Sequence, residues 1–501
     1  MKNKLTFLGQ TYKNIVSGYG AILLAIIVNI ILVPIVLNNI GKELYGLWFL
    51  IFNIISYFYL ADFGVTNAIT RLYSKYKTIG EEQVYKLLST AYILVFTLDL
   101  LVILLILFFE KNIIDFLEIE SHNLEIFGLL FIIAIIELFS QFILRVNIGI
   151  IKGDHNYNIA YNLESLTSIL RILSLYFLIY TENFTVINFA FLYSFSKVFS
   201  DSISFYFLTR IFKKIKFKID FYILKDLIDN SSSALLTSIS ATIYNSLPLL
   251  LFGKIFGVDR VFLYSIPFAV MIIMSRLINV IYAGFTPRAA ELKAMDNDDE
   301  IHKISNYGVK ISVLTGVLSL SFFIIFGLEV FELWLGNKVL TTMDFHLIYN
   351  IFILLLTYLT IANFQNANIV IYQAAGLHWY VSFETVTSAI LLLFLSYMFI
   401  DELNEYAFAV SMICVGIFKY LYYQFSGKSK IRTYSLSVPI LMMLFVFIGS
   451  IYIINLFLLT SILFKFLLFI LSSMLFILYV YLKLFNEYER HEIKIQLAKL
   501  K

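Results

Sequence analysis

The sequence predicts an all-α polytopic membrane protein of about fourteen transmembrane helices, arranged as two pseudo-symmetric six-helix lobes followed by a C-terminal two-helix hairpin. Three observations lead to this fold class. The 501 residues are 60% hydrophobic and only 14% charged, whereas soluble domains carry about 25% charged residues. Apolar stretches recur along the whole chain with short polar breaks between them. Lys and Arg are concentrated in alternate breaks.

Each predicted span is an apolar stretch of roughly twenty residues, which is the length a helix needs to cross a bilayer. Because the stretches are continuously apolar, we expect helices instead of the alternating strands of a β-barrel. The first stretch is too long for the apolar region of a cleaved signal peptide, so we expect it to be a span. In chain order the spans cover residues 14–37, 44–66, 87–109, 124–148, 157–180, 184–209, 231–253, 259–283, 304–328, 345–371, 379–399, 404–425, 436–459 and 461–484.

The basic residues predict the orientation of the chain. Of 37 Lys and Arg residues, 25 fall on the side of the N-terminus and 5 on the opposite side. Such an excess marks the cytoplasmic side of a membrane. We therefore expect both termini to be cytoplasmic. Trp48, Trp334 and Trp379 lie at span ends, where interfacial anchors are expected.

The two halves of the chain resemble each other. Residues 40–48 join spans one and two, and the similar residues 256–264 join spans seven and eight, 216 residues later. Both halves begin on the same side, so an axis along the membrane normal is expected to relate them. The predicted divisions are an N-terminal lobe (1–225), a C-terminal lobe (226–430), and the last two spans with a tail (431–501).

Interrupted helices at corresponding positions are typical of the substrate path of a transporter. Pro34 and Pro248 lie at nearly corresponding places in spans one and seven, and proline removes a backbone donor and kinks a helix. Asp62 and Gly64, at the end of span two, are further candidates for a conformational role. Asp62 has no opposite charge within two helical turns, and we hypothesise that it pairs with Arg276 of span eight.

One local motif resembles a known family. Residues 41–48 (Gly-Lys-Glu-Leu-Tyr-Gly-Leu-Trp), followed by Asp62-Phe63-Gly64 and Arg71, are similar to the opening of the bacterial polysaccharide exporters called Wzx-type flippases. This is the polysaccharide transport branch of the superfamily that includes multidrug and toxin extrusion transporters and the lipid II flippase. The resemblance implies a two-lobed cavity that opens to each side in turn, and an undecaprenyl-diphosphate-linked oligosaccharide as substrate.

The resemblance also implies a setting for the protein. The expected location is the bacterial cytoplasmic (inner) membrane, and the expected product is a surface polysaccharide, either O-antigen of lipopolysaccharide or capsule. The expected partners are the lipid-linked oligosaccharide, the lipid bilayer and other polysaccharide-assembly proteins. Neither a cofactor nor a nucleic-acid partner is expected. A metal site is not expected either, because the six histidines are scattered without ligand spacing.

A lipid diphosphate requires cations near the face at which it loads, because guanidinium groups bind phosphate oxygens bidentately. The candidates, all near predicted cytoplasmic ends of spans, are Lys13, Arg71, Arg276 and Arg288. Sugars require neutral donors and acceptors, although small polar residues in membranes also bond neighbouring helices. The candidates for sugar contacts are Asn29, Asn245, Ser246 and Asn279.

Other charges inside the predicted spans have neighbours of opposite sign at helical spacing, and ion pairing and a cavity role both stay open for them. These pairs are Lys197–Asp201, Glu164–Arg171 and Glu137–Arg145. Three lysines near span ends are expected to extend toward the membrane surface. They are Lys310, Lys419 and Lys465.

Two alternative functions stay open. The first is a cation-coupled multidrug extrusion transporter of the same superfamily, which the acidic residues Asp62, Asp99 and Glu137 would suit. The second is a membrane oligosaccharide polymerase or ligase, which would carry a large outer loop with catalytic residues. The longest predicted outer loops cover only residues 110–123 and 329–344. We therefore expect a transporter and not an enzyme.

Overall fold

The structure is a computed structural model, and it describes residues 2–58, 65–212, 218–282, 285–295, 297–374, 376–425, 436, 438–458, 461–485 and 490. Over these residues the secondary structure is helical, without a strand. Within the same part of the chain, nine helical segments are long and apolar enough to cross a membrane. The all-α polytopic fold class is thereby confirmed, while the predicted number of spans stays a prediction.

The chain divides into two compact units, Met1–Ser265 (unit one) and Ile266–Lys501 (unit two). The predicted lobe boundaries at residues 225 and 430 stay predictions. The helices of unit one are α1 (Lys2–Phe58), α2 (Val65–Lys77), α3 (Glu81–Leu117), α4 (Leu124–Gly153), α5 (Tyr157–Tyr180), α6 (Val186–Ser202), α7 (Ser204–Phe212) and α8 (Phe221–Phe256), and α9 (Val261–Tyr282) begins in it.

Helix α1 covers the first predicted span and the second as far as Phe58, with a break between them at Gly41 (φ 83°, ψ 172°). Its counterpart in the second half, Gly257, ends α8 with φ 91° and ψ 154°. Both conformations lie at positive φ, which glycine adopts without the steric cost that a Cβ atom brings. The two halves therefore share a backbone break at the positions that the sequence comparison matched.

Unit two differs from the predicted spans in two places. The predicted span 345–371 is divided at Phe364 and Gln365, and a short additional helix precedes the predicted span 304–328. The helices that follow α9 are α10 (Phe285–Ala294), α11 (Asp298–Leu335), α12 (Thr342–Asn363), α13 (Asn366–Ala374), α14 (His378–Leu403), α15 (Ala407–Phe425), α16 (Val438–Leu458) and α17 (Ile462–Lys483).

Side-chain caps fix where several helices begin. Thr185 accepts a hydrogen bond from the backbone N–H of Asn188 at the start of α6. Asp220 caps the first turn of α8, and Thr341 forms a capping box with Asp344 at the start of α12. Such caps satisfy N–H groups that have no partner within the helix, so these polar residues set the ends of the apolar segments.

Helices α16 and α17 pack against α11. The valines Val309, Val313 and Val317 recur every four residues and form one stripe of α11. They share a buried apolar cluster with Leu444 of α16 and Phe476 of α17. The last two helices are thus attached to unit two along one face of α11.

Candidate functional site

Two of the residues predicted to bind the diphosphate have exposed side chains in unit one. Lys13 is on α1 and Arg71 is on α2. Next to Lys13, the side chain of Asn14 donates to the carbonyl oxygen of His155 (3.0 Å) and accepts from the backbone N–H of Asn158 (2.9 Å). These bonds hold α1, at Asn14, to the α4–α5 connection and to the first turn of α5.

Helix α2, which carries Arg71, is held closely against α4. Gly149 and Gly153 of α4 permit this approach, since a Cβ atom at Gly153 would lie 2.8 Å from the carbonyl oxygen of Thr70. Thr70 Oγ1 donates to the Gly149 carbonyl oxygen at 3.1 Å, and Ser74 Oγ donates to that of Gly153 at 2.6 Å. The small residues of α4 therefore determine where Arg71 is presented.

The opposite side of α2 is bound to α8 through Asp226. Lys75 Nζ lies 3.2 Å from Asp226 Oδ2, and the Tyr76 hydroxyl donates to the same oxygen at 2.7 Å. The hydrogen bond from Tyr76, followed by the bond and charge of Lys75, lowers the pKa of Asp226. Burial, followed by the Asp226 carboxylate, raises the pKa of Tyr76. Lys77 forms an ion pair with Asp154, so both lysines of this turn are paired, whereas Arg71 makes no ion pair with a described residue.

The interior of unit one contains an ion pair within α6. Lys197 Nζ lies 2.7 Å from Asp201 Oδ2, so of the two roles left open for these residues the structure shows ion pairing. Gln141 of α4 donates to the same carboxylate oxygen at 3.1 Å. Asp201 is buried, and these two donors compensate its charge.

Of the two roles left open for Glu164 and Arg171, ion pairing is not seen among the contacts of the described residues. The two side chains share a face of α5, but the Arg171 guanidinium instead stacks on the Tyr193 ring of α6, with Cζ 3.5 Å from the ring centroid. Arg171 Nε is buried and has no hydrogen-bond partner among the described residues.

Two acidic side chains of unit one are buried with incomplete hydrogen bonding. Asp99 of α3 is fully buried, and neither carboxylate oxygen has a hydrogen-bond partner within the described part of the chain. Glu137 of α4 is also buried, and its Oε2 atom is without such a partner there. Burying an ionised carboxylate without partners is costly, so both residues are candidates for a functional role.

Three lysines do not extend to the surface as predicted, because each meets a group on another helix. Lys310 is only 2% exposed, with Nζ 5.0 Å from the Phe485 ring centroid. Lys419 Nζ lies 3.6 Å from Glu384 Oε1, and Lys465 forms an ion pair with Glu329. The expectation that these three lysines extend toward the membrane surface was therefore wrong.

A cluster of amides in unit two surrounds the break between α12 and α13. Asn366 Nδ2 donates to Asn279 Oδ1 at 2.7 Å, and Asn368 Nδ2 donates to Gln365 Oε1 at 2.6 Å. Asn363 and Gln365 are buried, and neither Asn363 Nδ2 nor Gln365 Nε2 has an acceptor among the described residues. Of this cluster, the sequence prediction named only Asn279. In the sequence, the signal for this cluster is the run of amide side chains between residues 363 and 368, inside an otherwise apolar span.

The other predicted site residues have the following placement. Arg276 is exposed on α9, and the Asn29 amide donates to the carbonyl oxygen of Ala25 in its own helix at 2.7 Å. Pro34 and Pro248 lie inside α1 and α8, which continue through them. Asp62 and Gly64 lie outside the described residues, as do the side chains of Asn245, Ser246 and Arg288. The predicted pairing of Asp62 with Arg276 stays a prediction.

Unit one contains a polar cavity of about 560 Å³. His122 Nε2 lies 3.0 Å from Glu43 Oε1, and Asn123 donates to the same oxygen. Lys254 pairs with Glu118 at its rim. The cavity joins the α1 break to the ends of α3 and α8, and it contains none of the predicted site residues.

The amino-acid sequence matches a family model described as polysaccharide biosynthesis protein over residues 11–293. No curated protein matches the chain. The structure is similar to that of the lipid II flippase MurJ in an inward closed conformation, with a TM-score of 0.70 and 15% identity, covering 93% of this chain and 98% of MurJ.

Two further solved structures are similar. A multidrug resistance MATE family transporter of the MOP superfamily, in an inward-facing conformation, has a TM-score of 0.67 and 18% identity over 83% of this chain and 94% of its own. A MOP superfamily transporter from Pyrococcus furiosus Vc1 has a TM-score of 0.57 and 17% identity over 82% of this chain and 94% of its own. At such identities the similarity establishes a shared fold.

Proposed function

The chain belongs to the family of polysaccharide biosynthesis proteins, and from this premise we propose that it is a flippase for undecaprenyl-diphosphate-linked oligosaccharide. It translocates this lipid across the bacterial cytoplasmic membrane by alternating access, with both termini in the cytoplasm, for the assembly of O-antigen or capsule. The family match carries the proposal. The fold shared with the lipid II flippase MurJ supports it.

The diphosphate is bound by the cations at the cytoplasmic ends of the helices. Lys13 and Arg71 serve this role in unit one, and Arg276 and Arg288 serve it in unit two. The support for Arg71 is that α4 and α8 fix its helix while its own side chain is exposed and not in an ion pair with a described residue. A fixed, available guanidinium suits bidentate binding of phosphate oxygens.

The oligosaccharide is accommodated by neutral polar groups. The amides around the α12–α13 break supply donors and acceptors of the kind that sugar hydroxyls require, and Asn279 is their exposed member. Asn29, Asn245 and Ser246 are proposed for the same role in unit one. Each unsatisfied polar group of the sugar would otherwise cost several kcal/mol in hydrocarbon.

Net outward transport of the lipid does not require nucleotide hydrolysis. A headgroup with about two negative charges that moves out of a negative interior gains roughly 5 kcal/mol at 100 mV, from ~2.3 kcal/mol per charge. The energy for net export can therefore come from the membrane potential, an ion gradient or consumption of the product.

The proposal is tested in liposomes that contain the purified protein and a fluorescent lipid-linked oligosaccharide. We expect translocation that depends on the protein, and Arg71→Gln should raise the KM about tenfold through the loss of one bidentate contact worth about 1.4 kcal/mol. Lys77→Gln is the matched control, because Lys77 lies on the same helix but is already paired with Asp154. Absence of translocation by a correctly folded protein would refute the flippase.

A second candidate is a cation-coupled multidrug extrusion transporter. The similarity to the MATE transporter favours it, as do the buried carboxylates of Asp99 and Glu137, which could carry a coupling cation. The same liposomes distinguish the two functions. Efflux of a cationic dye under a proton or sodium gradient, without movement of the lipid, would establish the extruder in place of the flippase.

A further inference from the structure

Arg171 lies near the middle of a membrane helix. It follows Tyr157, the first residue of α5, by fourteen residues and precedes the last, Tyr180, by nine. At about 1.5 Å per residue it is roughly 21 Å from one end and 14 Å from the other. A permanently charged guanidinium at this depth is expensive and marks a functional site unless a partner compensates it.

Arg171 does not face the lipid. The exposed apolar residues of α5 form one stripe, with Ile169 and Leu173 on either side of Arg171 in sequence. Because successive helical residues are about 100° apart, Arg171 projects roughly 160° from both of them. On α6, Tyr193 likewise projects roughly 160° from the exposed residues Phe191 and Phe195. Both side chains therefore point away from the exposed stripes, into unit one.

The charge of Arg171 has no carboxylate partner among the described residues. Its guanidinium stacks on Tyr193 at 3.5 Å, and the buried Nε–H has no acceptor there. One turn along α6 from Tyr193, Lys197 is neutralised by Asp201. Lys197 and Arg171 thus point into the same interior, but only the charge of Lys197 is compensated. Arg171 keeps an N–H donor in the plane of its guanidinium without an acceptor among the described residues.

Aromatic rings extend from the stacked pair. The Tyr193 ring centroid lies 5.5 Å from that of Trp48 and 6.2 Å from that of Phe52. Trp48 is only 5% exposed, so it is part of this interior cluster and not the interfacial anchor that the sequence predicted. With one face covered by Tyr193, the guanidinium can still offer its N–H edge, which matches the geometry of phosphate and carboxylate oxygens.

We propose that Arg171, held by Tyr193, is an oxyanion-binding subsite in the interior of unit one. The proposal deepens the proposed function, on which it rests for the identity of the ligand: the oxyanion is either the diphosphate of the lipid or the carboxylate of an acidic sugar. The subsite lies near the middle of α5, whereas Lys13 and Arg71 of unit one lie near predicted cytoplasmic ends of spans, so it holds the anion during passage and not at loading.

Binding is measured with Trp48 as the reporter. Trp334→Phe with Trp379→Phe leaves Trp48 as the single tryptophan, next to Tyr193. Titration of the detergent-solubilised protein with inorganic pyrophosphate and, separately, with glucuronate should give a saturable fluorescence change with at least one anion. Saturation by pyrophosphate assigns the diphosphate, and saturation by glucuronate alone assigns the acidic sugar. No saturation by either anion overturns the subsite.

Substitutions test which residues produce the signal. Arg171→Gln should weaken the apparent Kd about tenfold or more, which corresponds to about 1.4 kcal/mol, and Arg171→Lys should recover part of it. Tyr193→Phe keeps the stacked ring and should bind like the parent protein, whereas Tyr193→Leu should not. The matched control is Lys197→Gln with Asp201→Asn, which removes a compensated pair from the same interior. Equal binding by Arg171→Gln and its parent overturns the subsite.

Measuring translocation by the wild-type protein and by Arg171→Gln distinguishes a failure of the subsite from a failure of the flippase. If the wild-type protein translocates lipid-linked oligosaccharide and Arg171→Gln has the same KM and kcat, the subsite is refuted while the flippase stands. If wild-type protein does not translocate but binds pyrophosphate through Arg171, the subsite stands and the flippase fails. A rise in KM for Arg171→Gln that Arg171→Lys partly reverses supports both.

Discussion

Breaking the buried ion pair between Glu384 and Lys419 should reveal how α14 and α15 are held together. Glu384 is 1% exposed and Lys419 is 19% exposed, with 3.6 Å between Oε1 and Nζ. Removing one partner of a buried pair costs about 3–5 kcal/mol, because the remaining charge loses its compensation. Ser388 and Tyr423 also donate to the Glu384 carboxylate, at 2.7 Å and 3.3 Å.

These two donors predict unequal effects. In Lys419→Met the Glu384 carboxylate keeps both hydroxyl donors, so we expect the lower end of the range, about 3 kcal/mol. In Glu384→Gln the lysine loses its carboxylate, and we expect about 4–5 kcal/mol. The double substitution removes both charges and should lie within about 1 kcal/mol of wild type. At about 2–4 °C per kcal/mol, Glu384→Gln should lower the Tm by about 8 °C or more.

The assay is thermal unfolding in detergent, followed by the reaction of a thiol dye with Cys414, the single cysteine of the sequence. Glu300→Gln is the control, since the Glu300–Lys303 pair is exposed and such pairs contribute about 1 kcal/mol or less. A double variant that is less stable than both single variants would refute the reasoning, because the two charges would then not be compensating each other.

Three further outcomes are expected. Gly153→Ala should destabilise the protein by about 1–3 kcal/mol, since the new methyl group meets the Thr70 carbonyl oxygen and α2 must shift. Asp226, whose pKa the Tyr76 hydroxyl lowers, should stabilise the protein above about pH 4 and lose this effect as the pH falls through its folded pKa, so the Tm difference from Asp226→Asn should shrink in acid. Asn366→Ala should raise the KM for transport severalfold while costing about 1 kcal/mol of stability.

Each of these outcomes has a matched control. Gly128→Ala on α4 meets no atom within 4 Å and should leave the Tm unchanged or slightly raised. Tyr76→Phe removes the main cause of the Asp226 shift, so an unchanged acid profile in that variant would contradict the assignment. Asn350→Ala, which removes an amide bonded to Tyr406, should leave the KM unchanged. An equal rise for both asparagine variants would argue against a sugar contact.

The apolar pattern predicted helix positions well where the surroundings are uniform. The predicted span 157–180 coincides with α5, and the repeat comparison matched the glycines that break α1 and end α8. The same pattern missed the α12–α13 break, because a hydropathy window averages the amides at 363–368 with their apolar neighbours. Local composition was sufficient for the fold class, and single polar residues decided the interruptions.

Side-chain partners were predicted only where they are local in sequence. The Lys197–Asp201 pair follows from a spacing of one helical turn. Lys465 and Glu329 are 136 residues apart, and Arg171 meets Tyr193 on a different helix. Spacing rules for a single helix carry no information on such contacts, which depend on how helices pack. For the same reason Trp48, placed at a span end by the sequence, proved to be an interior residue.

Two kinds of contact hold the final hairpin, α16 and α17, against α11: an apolar cluster and an ion pair. Lipid tails are as apolar as valine or leucine, so the cluster on α11 gains little from excluding lipid. The Lys465–Glu329 pair is different, because separating the two helices would leave each charge without its partner. A chain shortened before α16 should therefore suffer chiefly from a stranded glutamate, and Glu329→Gln should rescue the shortened form more effectively than any change to the valine stripe.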